Sequence, residues 1–191
     1  MRNYNIGGVE VFMEPCRGVY DPSDDTFLVM KHAQPHGTIL EMGTGSGIIS
    51  IYFSLKGFDV LGVDINPHAV ECAKSNASMN RCGAMFRQSD LFAAVPESFD
   101  TIMFNPPYLP TEDNFQGSEQ WDGGSDGFLV IRPFLHKVTD HLRSGGNVFL
   151  VLSSFTEIDS FIQEFSGLSF EKVSSISFPF ETLSLYRIGR T

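Results

Sequence analysis

Asn105-Pro106-Pro107-Tyr108 holds the residue types best suited to chemistry in this chain. The stretch follows Phe99-Asp100-Thr101-Ile102-Met103-Phe104, which reads as a strand, so it stands where an open α/β sheet presents its ligand crevice. Two successive prolines fix φ and remove two backbone donors, which leaves a stiff loop rich in acceptors. Such a loop suits a planar –NH2 group. The Asn105 side-chain carbonyl would accept one hydrogen and a loop carbonyl the other, with Tyr108 packed on the plane.

A second chemical cluster lies upstream. The short apolar strand Thr38-Ile39-Leu40-Glu41-Met42 runs into Gly43-Thr44-Gly45-Ser46-Gly47, and Ile48, Ile51, Tyr52 and Leu55 follow at helical spacing. Strand, glycine loop and helix form the first unit of a nucleotide-type α/β fold. The glycine spacing is not that of the dinucleotide fingerprint, because Ile48 stands where a third small residue belongs. Glu41, just before the loop, would repel a pyrophosphate but can pair with an ammonium or neutralise another cation. S-adenosylmethionine carries an ammonium and a sulfonium and no phosphate. Gly43 and Gly45 would let the backbone approach its methionine part. Asp64, closing the strand Asp59-Val60-Leu61-Gly62-Val63-Asp64, falls where an acid accepts ribose hydroxyls. Asp90, after a short strand around Met85-Phe86-Arg87, is placed for the exocyclic amine of adenine, with Leu91 beside the ring.

The remaining elements position these groups. Residues 1–20 read as an N-terminal arm in which Val9-Glu10-Val11-Phe12 alternates like a strand, and residues 21–191 as one α/β domain. Ser23 and the acids Asp24 and Asp25 open a helix ending near His32, with Tyr20 and Thr26 as further site candidates. Asn66 and Pro67 start a helix running to about Asn80. The polar stretch from Thr111 to Asp126 reads as a long loop. Phe128, Ile131, Leu135, Val138 and Leu142 then predict one helix, kinked at Pro133 and ended by Gly145-Gly146. A buried strand over 147–152, a helix over 156–165, and two strands over 168–178 and 182–188 complete the pattern. The strand near Ala84-Met85-Phe86 is short, apolar and expected at a sheet edge.

Composition narrows the function classes. A chain of 191 residues with 42% hydrophobic and 19% charged residues can bury one substantial core. No apolar run reaches membrane-spanning length, and the polar start lacks a signal-peptide core. A formal charge of −10, with no basic cluster, disfavours nucleic-acid binding by the isolated chain. Cys16, Cys72 and Cys82 show no metal spacing, and their odd number argues against a disulfide framework, which reads as a reducing cytoplasm. The five histidines show no ligand spacing and read as surface or capping residues, so no metal site is expected. Most phenylalanines follow core periods, with Phe104, Phe115 and Phe128 as candidate pocket walls.

With these motifs in this order, the chain resembles class I S-adenosylmethionine-dependent methyltransferases of the HemK type. Glu41-Met-Gly-Thr-Gly-Ser-Gly, Asp64, Ser89-Asp90-Leu91 and Asn105-Pro-Pro-Tyr carry the resemblance over almost the whole chain. Bacterial members have an extra N-terminal helical domain for which this chain has no room. The start at Tyr20-Asp-Pro-Ser-Asp-Asp-Thr-Phe-Leu, with Trp121-Asp-Gly-Gly-Ser-Asp-Gly after the Asn105 loop, is similar to the short archaeal and eukaryotic branch. The resemblance implies a Rossmann-like, seven-stranded sheet, mostly parallel with an antiparallel closing hairpin and helices on both faces. It implies methylation of the glutamine of a Gly-Gly-Gln motif in a class 1 translation release factor. Thr26, Glu41, Gly43, Asp64, Asp90 and Asn105 would contact the cofactor, and Asn105 would also hold the substrate amide. It further implies a small zinc-binding activator protein that adds strands along the sheet edge.

An amide nitrogen is a weak nucleophile, and no strong base stands near the loop in sequence. Catalysis would therefore rest on positioning and electrostatics. Competing readings are methylation of an adenine amine in DNA or RNA, which the charge disfavours, and methylation of a protein lysine, which would need deprotonation. A non-catalytic cofactor-binding subunit or scaffold is the alternative from another class, and the intact Asn105 loop weighs against it.

Overall fold

Strands that are apolar on both sides need cover on both sides, and this requirement organises the molecule. In chain order the elements are β1 (Arg2–Ile6), β2 (Val9–Met13), α1 (Asp24–His32), β3 (Ile39–Met42), α2 (Ile48–Leu55), β4 (Val60–Asp64), α3 (Pro67–Asn80), β5 (Met85–Gln88), β6 (Phe99–Phe104), α4 (Ile131–Val138), β7 (Leu142–Ser153), α5 (Ile158–Gln163), β8 (Leu168–Ser177) and β9 (Thr182–Arg190). The computed structural model describes residues 1–109 and 123–191; Phe115 and Trp121 lie outside the described residues.

Seven strands form one sheet in the order β5-β4-β3-β6-β7-β9-β8. The first five run parallel, and β9 pairs antiparallel with both β7 and β8. This is the mostly parallel sheet with an antiparallel closing hairpin expected from the sequence, with β5 at one edge as predicted. Alternation along the strands builds two cores. Leu40, Ile102 and Leu150 join α4 and α5 through Phe134, Val138 and Phe161. Ile39, Met103 and Phe149 join α1 and α2 through Leu28, Val29, Ile51 and Phe53 on the other face. Strand order reverses between β3 and β6, where Met42 lies opposite Phe104. The glycine loop and the Asn105 loop therefore leave the sheet side by side at its switch point, where open α/β sheets place their ligand crevice.

The structure departs from the sequence reading at four places. Val9–Met13 is one arm of a hairpin whose other strand, β1, was not expected; Tyr4 pairs with Val11 and Ile6 with Val9. The arm shares a core with the sheet, because Ile6, Val11 and Met13 are buried among α1 and α2. The helix expected from Phe128 to Gly145 is only Ile131–Val138, followed by a 3-10 turn, Thr139–His141. Pro133 falls in its first turn, where no N–H is needed, so it makes no kink. Leu142 continues the helical period but instead opens β7 opposite Phe99, and Gly145 and Gly146 lie within that strand. A Cβ at Gly146 would crowd the Asp100 and Arg143 carbonyl oxygens at 3.0 Å, so the close pairing of β6 and β7 favours glycine there. The helix over 156–165 is shorter, Ile158–Gln163. Finally, Cys16 and Cys72 form a disulfide and Cys82 remains free. An odd cysteine count leaves one thiol over but does not prevent a pair that the fold brings together, so the cysteines give no argument for a reducing compartment.

Candidate functional site

The residues expected to bind cofactor and substrate converge on one cleft. It has a volume of about 800 Å³, and Thr26, Glu41, Gly43, Gly45, Asp64, Asp90, Leu91, Asn105, Pro106, Pro107 and Tyr108 line it. Strand ends supply the acids, loops supply the glycines and prolines, and α1 contributes Thr26 from above. Phe104 also lines the cleft, whereas Phe128 packs in the core against Phe161. His68, read as a surface or capping residue, is exposed but borders the cleft.

The cofactor-side acids are held by their own neighbourhood. Glu41 is 3% exposed; its Oε2 accepts from Thr44 Oγ1 at 2.7 Å, from the Ser50 amide at 2.9 Å and from the Ser50 hydroxyl. Burial pushes its carboxyl up to about 7, against the opposing pull of the Ser50 and Thr44 hydrogen bonds. Asp64 accepts from the Gly45 amide at 2.8 Å and from the Asn66 amide at 2.9 Å, one bond per oxygen. Burial also raises Asp64, with those amides pulling it back. The glycine loop is possible because Gly43 and Gly45 adopt left-handed φ values of 66° and 53°. Leu91 also sits at positive φ, 45°, a strained choice for a branched side chain. Ser89 holds it there, donating to the Leu91 carbonyl at 2.7 Å while accepting the Ala94 amide at 3.0 Å. Asp90 itself is exposed.

The Asn105 side differs. Asn105 Oδ1 is buried and has no hydrogen-bond partner among the described residues. Tyr108 is committed elsewhere: its hydroxyl donates to Asp25 Oδ2 at 3.2 Å, and Tyr20 donates to the same oxygen at 2.8 Å. Asp25 Oδ1 accepts from the Thr26 amide and hydroxyl at 2.5 and 3.1 Å. Burial, followed by the Asp25 charge, raises both tyrosine hydroxyls well above their usual range, so neither serves as a base near neutrality. Sequence reasoning kept Tyr20 and Thr26 as candidates and missed Asp25, which ties α1 to the Asn105 loop. The available signal was an acid run wider than helix capping requires. Among the described residues, no three His, Cys, Asp or Glu side chains gather as metal ligands.

An α/β sheet with an acid-lined cleft at its switch point defines a class, and comparison with known proteins gives the family. The methyltransferase small domain model matches residues 15–176, and the chain belongs to that family. A provisionally named protein N5-glutamine methyltransferase of Methanocaldococcus jannaschii is 37% identical over 194 residues, covering 97% of this chain and 98% of the relative. The release factor glutamine methyltransferase of Cereibacter sphaeroides is 30% identical over 153 residues, covering 72% of this chain and 55% of that longer protein. Among solved structures, the E. cuniculi Mtq2-Trm112 complex, responsible for methylating the eRF1 translation termination factor, superposes with a TM-score of 0.72. It has 23% identity and covers 91% of this chain and 99% of the other.

Proposed function

We propose that this chain transfers a methyl group from S-adenosylmethionine to the side-chain amide nitrogen of a glutamine in a translation release factor. The observation that carries the reading is Asn105 Oδ1, a buried acceptor without a partner among the described residues, on a residue that lines the cleft. An unpaired buried acceptor costs about 1–3 kcal/mol, and a ligand N–H recovers that cost. The names of the M. jannaschii and C. sphaeroides relatives support the same acceptor.

The donor set fits the cofactor. Gly43 and Gly45 leave the loop without side chains where the methionine part would lie, and Glu41 would answer its positive charge. Asp64 retains lone pairs for ribose hydroxyls, because the Gly45 and Asn66 amides each take only one position on a different carboxylate oxygen. Asp90 and Leu91 would take the adenine, and Thr26 would close the cleft from α1. When bound, the cofactor supplies an electrophilic methyl group on sulfur.

The chain's own work is positioning. Asn105 and a carbonyl of the Pro106-Pro107 segment would accept both amide hydrogens and direct the nitrogen lone pair toward the methyl carbon. The same acceptors favour the positive charge that grows on that nitrogen. With its hydroxyl held by Asp25, Tyr108 would present a fixed ring to the substrate rather than a base.

The partner reading belongs here too. β5 leaves one edge unpaired and exposes Met85 by 65%, which suits strand addition by a small protein. We take that protein to be the zinc-binding activator implied by the resemblance. Among the described residues no helix is long and apolar enough to cross a membrane, and a release-factor substrate would place the enzyme in the cytoplasm.

The decisive test is transfer of labelled methyl, with and without the activator, to a release factor, to the same factor with its Gly-Gly-Gln glutamine changed, and to bulk DNA and RNA. Label on the intact factor alone is expected. Label on nucleic acid would move the loop's ligand to an adenine and overturn the reading.

A further inference from the structure

The β8–β9 turn lies at the same end of the sheet as the Asn105 loop, because Leu183 of β9 pairs with Ser153, the last residue of β7. The turn and the loop after β7 are pinned together. Ser153 Oγ donates to Glu181 Oε1 at 2.7 Å, the Thr182 amide to Ser154 Oγ at 2.8 Å, and the Ser154 amide to the Thr182 carbonyl at 2.9 Å. Within the turn the Phe178 amide donates to the Glu181 carbonyl at 2.6 Å.

This fixed mount carries aromatic side chains into solvent. Phe180 is 89% exposed, Phe155 48% and Phe178 38%. Scattered exposed apolar residues are ordinary, but these three phenylalanines stand on two loops that hydrogen bonds pin together, a concentration of the kind that marks an interaction surface. Burial does not require them there, since both cores are complete without them.

The patch adjoins the reactive loop. A Cβ on Gly127 would meet Thr156 Cγ2 at 2.3 Å and the Tyr108 carbonyl at 2.8 Å, so the segment after Phe155 and the Asn105–Tyr108 loop pack on the same glycine. The charge of Glu181 also reaches the Tyr108 hydroxyl. Glu157 and Glu181 stand on the same two loops, and neither forms an ion pair among the described residues. Carboxylates without a cationic partner, on loops that also carry exposed rings, repel phosphate chains and attract cations, and aromatic faces add to that attraction.

We infer that Phe155, Phe178 and Phe180, with Glu157 and Glu181, form a docking surface for the polypeptide flanking the acceptor amide, a segment bearing lysine or arginine. The inference rests on the glutamine reading above and adds the character of the flanking chain. It lies at the opposite end of the strand order from the free β5 edge, so an activator there leaves it open.

The test uses two fluorescent peptides around Gly-Gly-Gln, one flanked by Arg and Lys and one by Glu, titrated with the intact protein and with the double variant Phe155→Ser, Phe180→Ser. The basic peptide is expected to bind the parent and to lose about tenfold or more in the variant, as for exposed anchors in other interfaces. The acidic peptide is expected to bind neither. With the whole factor, KM should rise while kcat and cofactor affinity hold. Equal binding by parent and variant, no binding by the parent, or a dimer in sedimentation that the substitutions dissociate would each overturn the surface. Phenylalanine-dependent binding without methyl transfer would keep the surface and sink the glutamine reading, so the two failures are distinct.

Discussion

The two halves of the cleft solve opposite problems. On the β3–β4 side, Glu41 and Asp64 are acids taken out of water, and the fold itself answers them with the Ser50, Gly45 and Asn66 amides and two hydroxyls. On the β6 side, Asn105 presents a buried acceptor to which no group among the described residues donates. The first half is already hydrogen-bonded before any ligand arrives, with acceptor capacity left over on Asp64, so it holds its shape unaided. The second half keeps an acceptor in reserve, and under the proposed function binding energy would be used there, where the chemistry would occur. Self-sufficiency thus separates a cradle from a reactive loop more clearly than residue type does.

The sharpest way to break this contrast is Asn105→Ala. Losing a preorganised acceptor from a reactive site lowers kcat by about 100- to 1000-fold. Stability should not fall, because removing an unsatisfied buried acceptor relieves a cost. Cofactor affinity should change by only a few-fold. A large drop in the melting temperature would mean that Asn105 supports the fold, and the contrast between the halves would fail.

The cradle side has its own signature, in pH. The Glu41 carboxyl is pushed above its unfolded value to about 7, so the folded state holds a proton that the unfolded state releases. Its contribution is therefore fully present below about pH 4.5 and is lost as pH rises through 7, a change on the order of 3 kcal/mol for a shift of that size. Denaturant titrations between pH 4 and 8 should show this decline, and Glu41→Gln should flatten it. A cationic ligand against the carboxylate should flatten it as well. A flat parent profile would show that Thr44 and Ser50 already stabilise the charge.

How much of this was legible in the sequence follows from range. β3, β4 and β6 are apolar runs ended by acids or by Asn105, and strand ends fix where those side chains go, so the cleft residues could be read locally. The larger failures are long-range. Leu142 fits the helical period of α4, yet pairing with Phe99 overrides it. β1 is too polar to announce itself and depends on β2. Cys16 and Cys72 are 56 residues apart, and only the packing of the arm on α3 brings them together. Asn76 and Asn80 strengthen that packing by hydrogen-bonding the backbone of Glu14 and Phe12, contacts no local pattern predicts.

Asp25 tests whether the two halves communicate. It belongs to neither: its carboxylate receives Tyr20 and Tyr108 on one oxygen and Thr26 on the other, bridging the cover of the cleft to the reactive loop. Asp25→Asn keeps the size and one acceptor but turns an amide toward donors, at a cost of about 1.5–3 kcal/mol for lost bonds to a charged group. If Asp25 only supports the fold, the melting temperature should fall while kcat and KM hold. If it positions the loop, kcat should fall about tenfold with cofactor affinity nearly unchanged, because a misplaced acceptor costs rate rather than binding. Tyr108→Phe removes one of the two bonds to Oδ2 and retains the ring, so its effect should be the smaller of the two. The bridge predicts that order, and the reverse order would place the role in the Tyr108 hydroxyl instead.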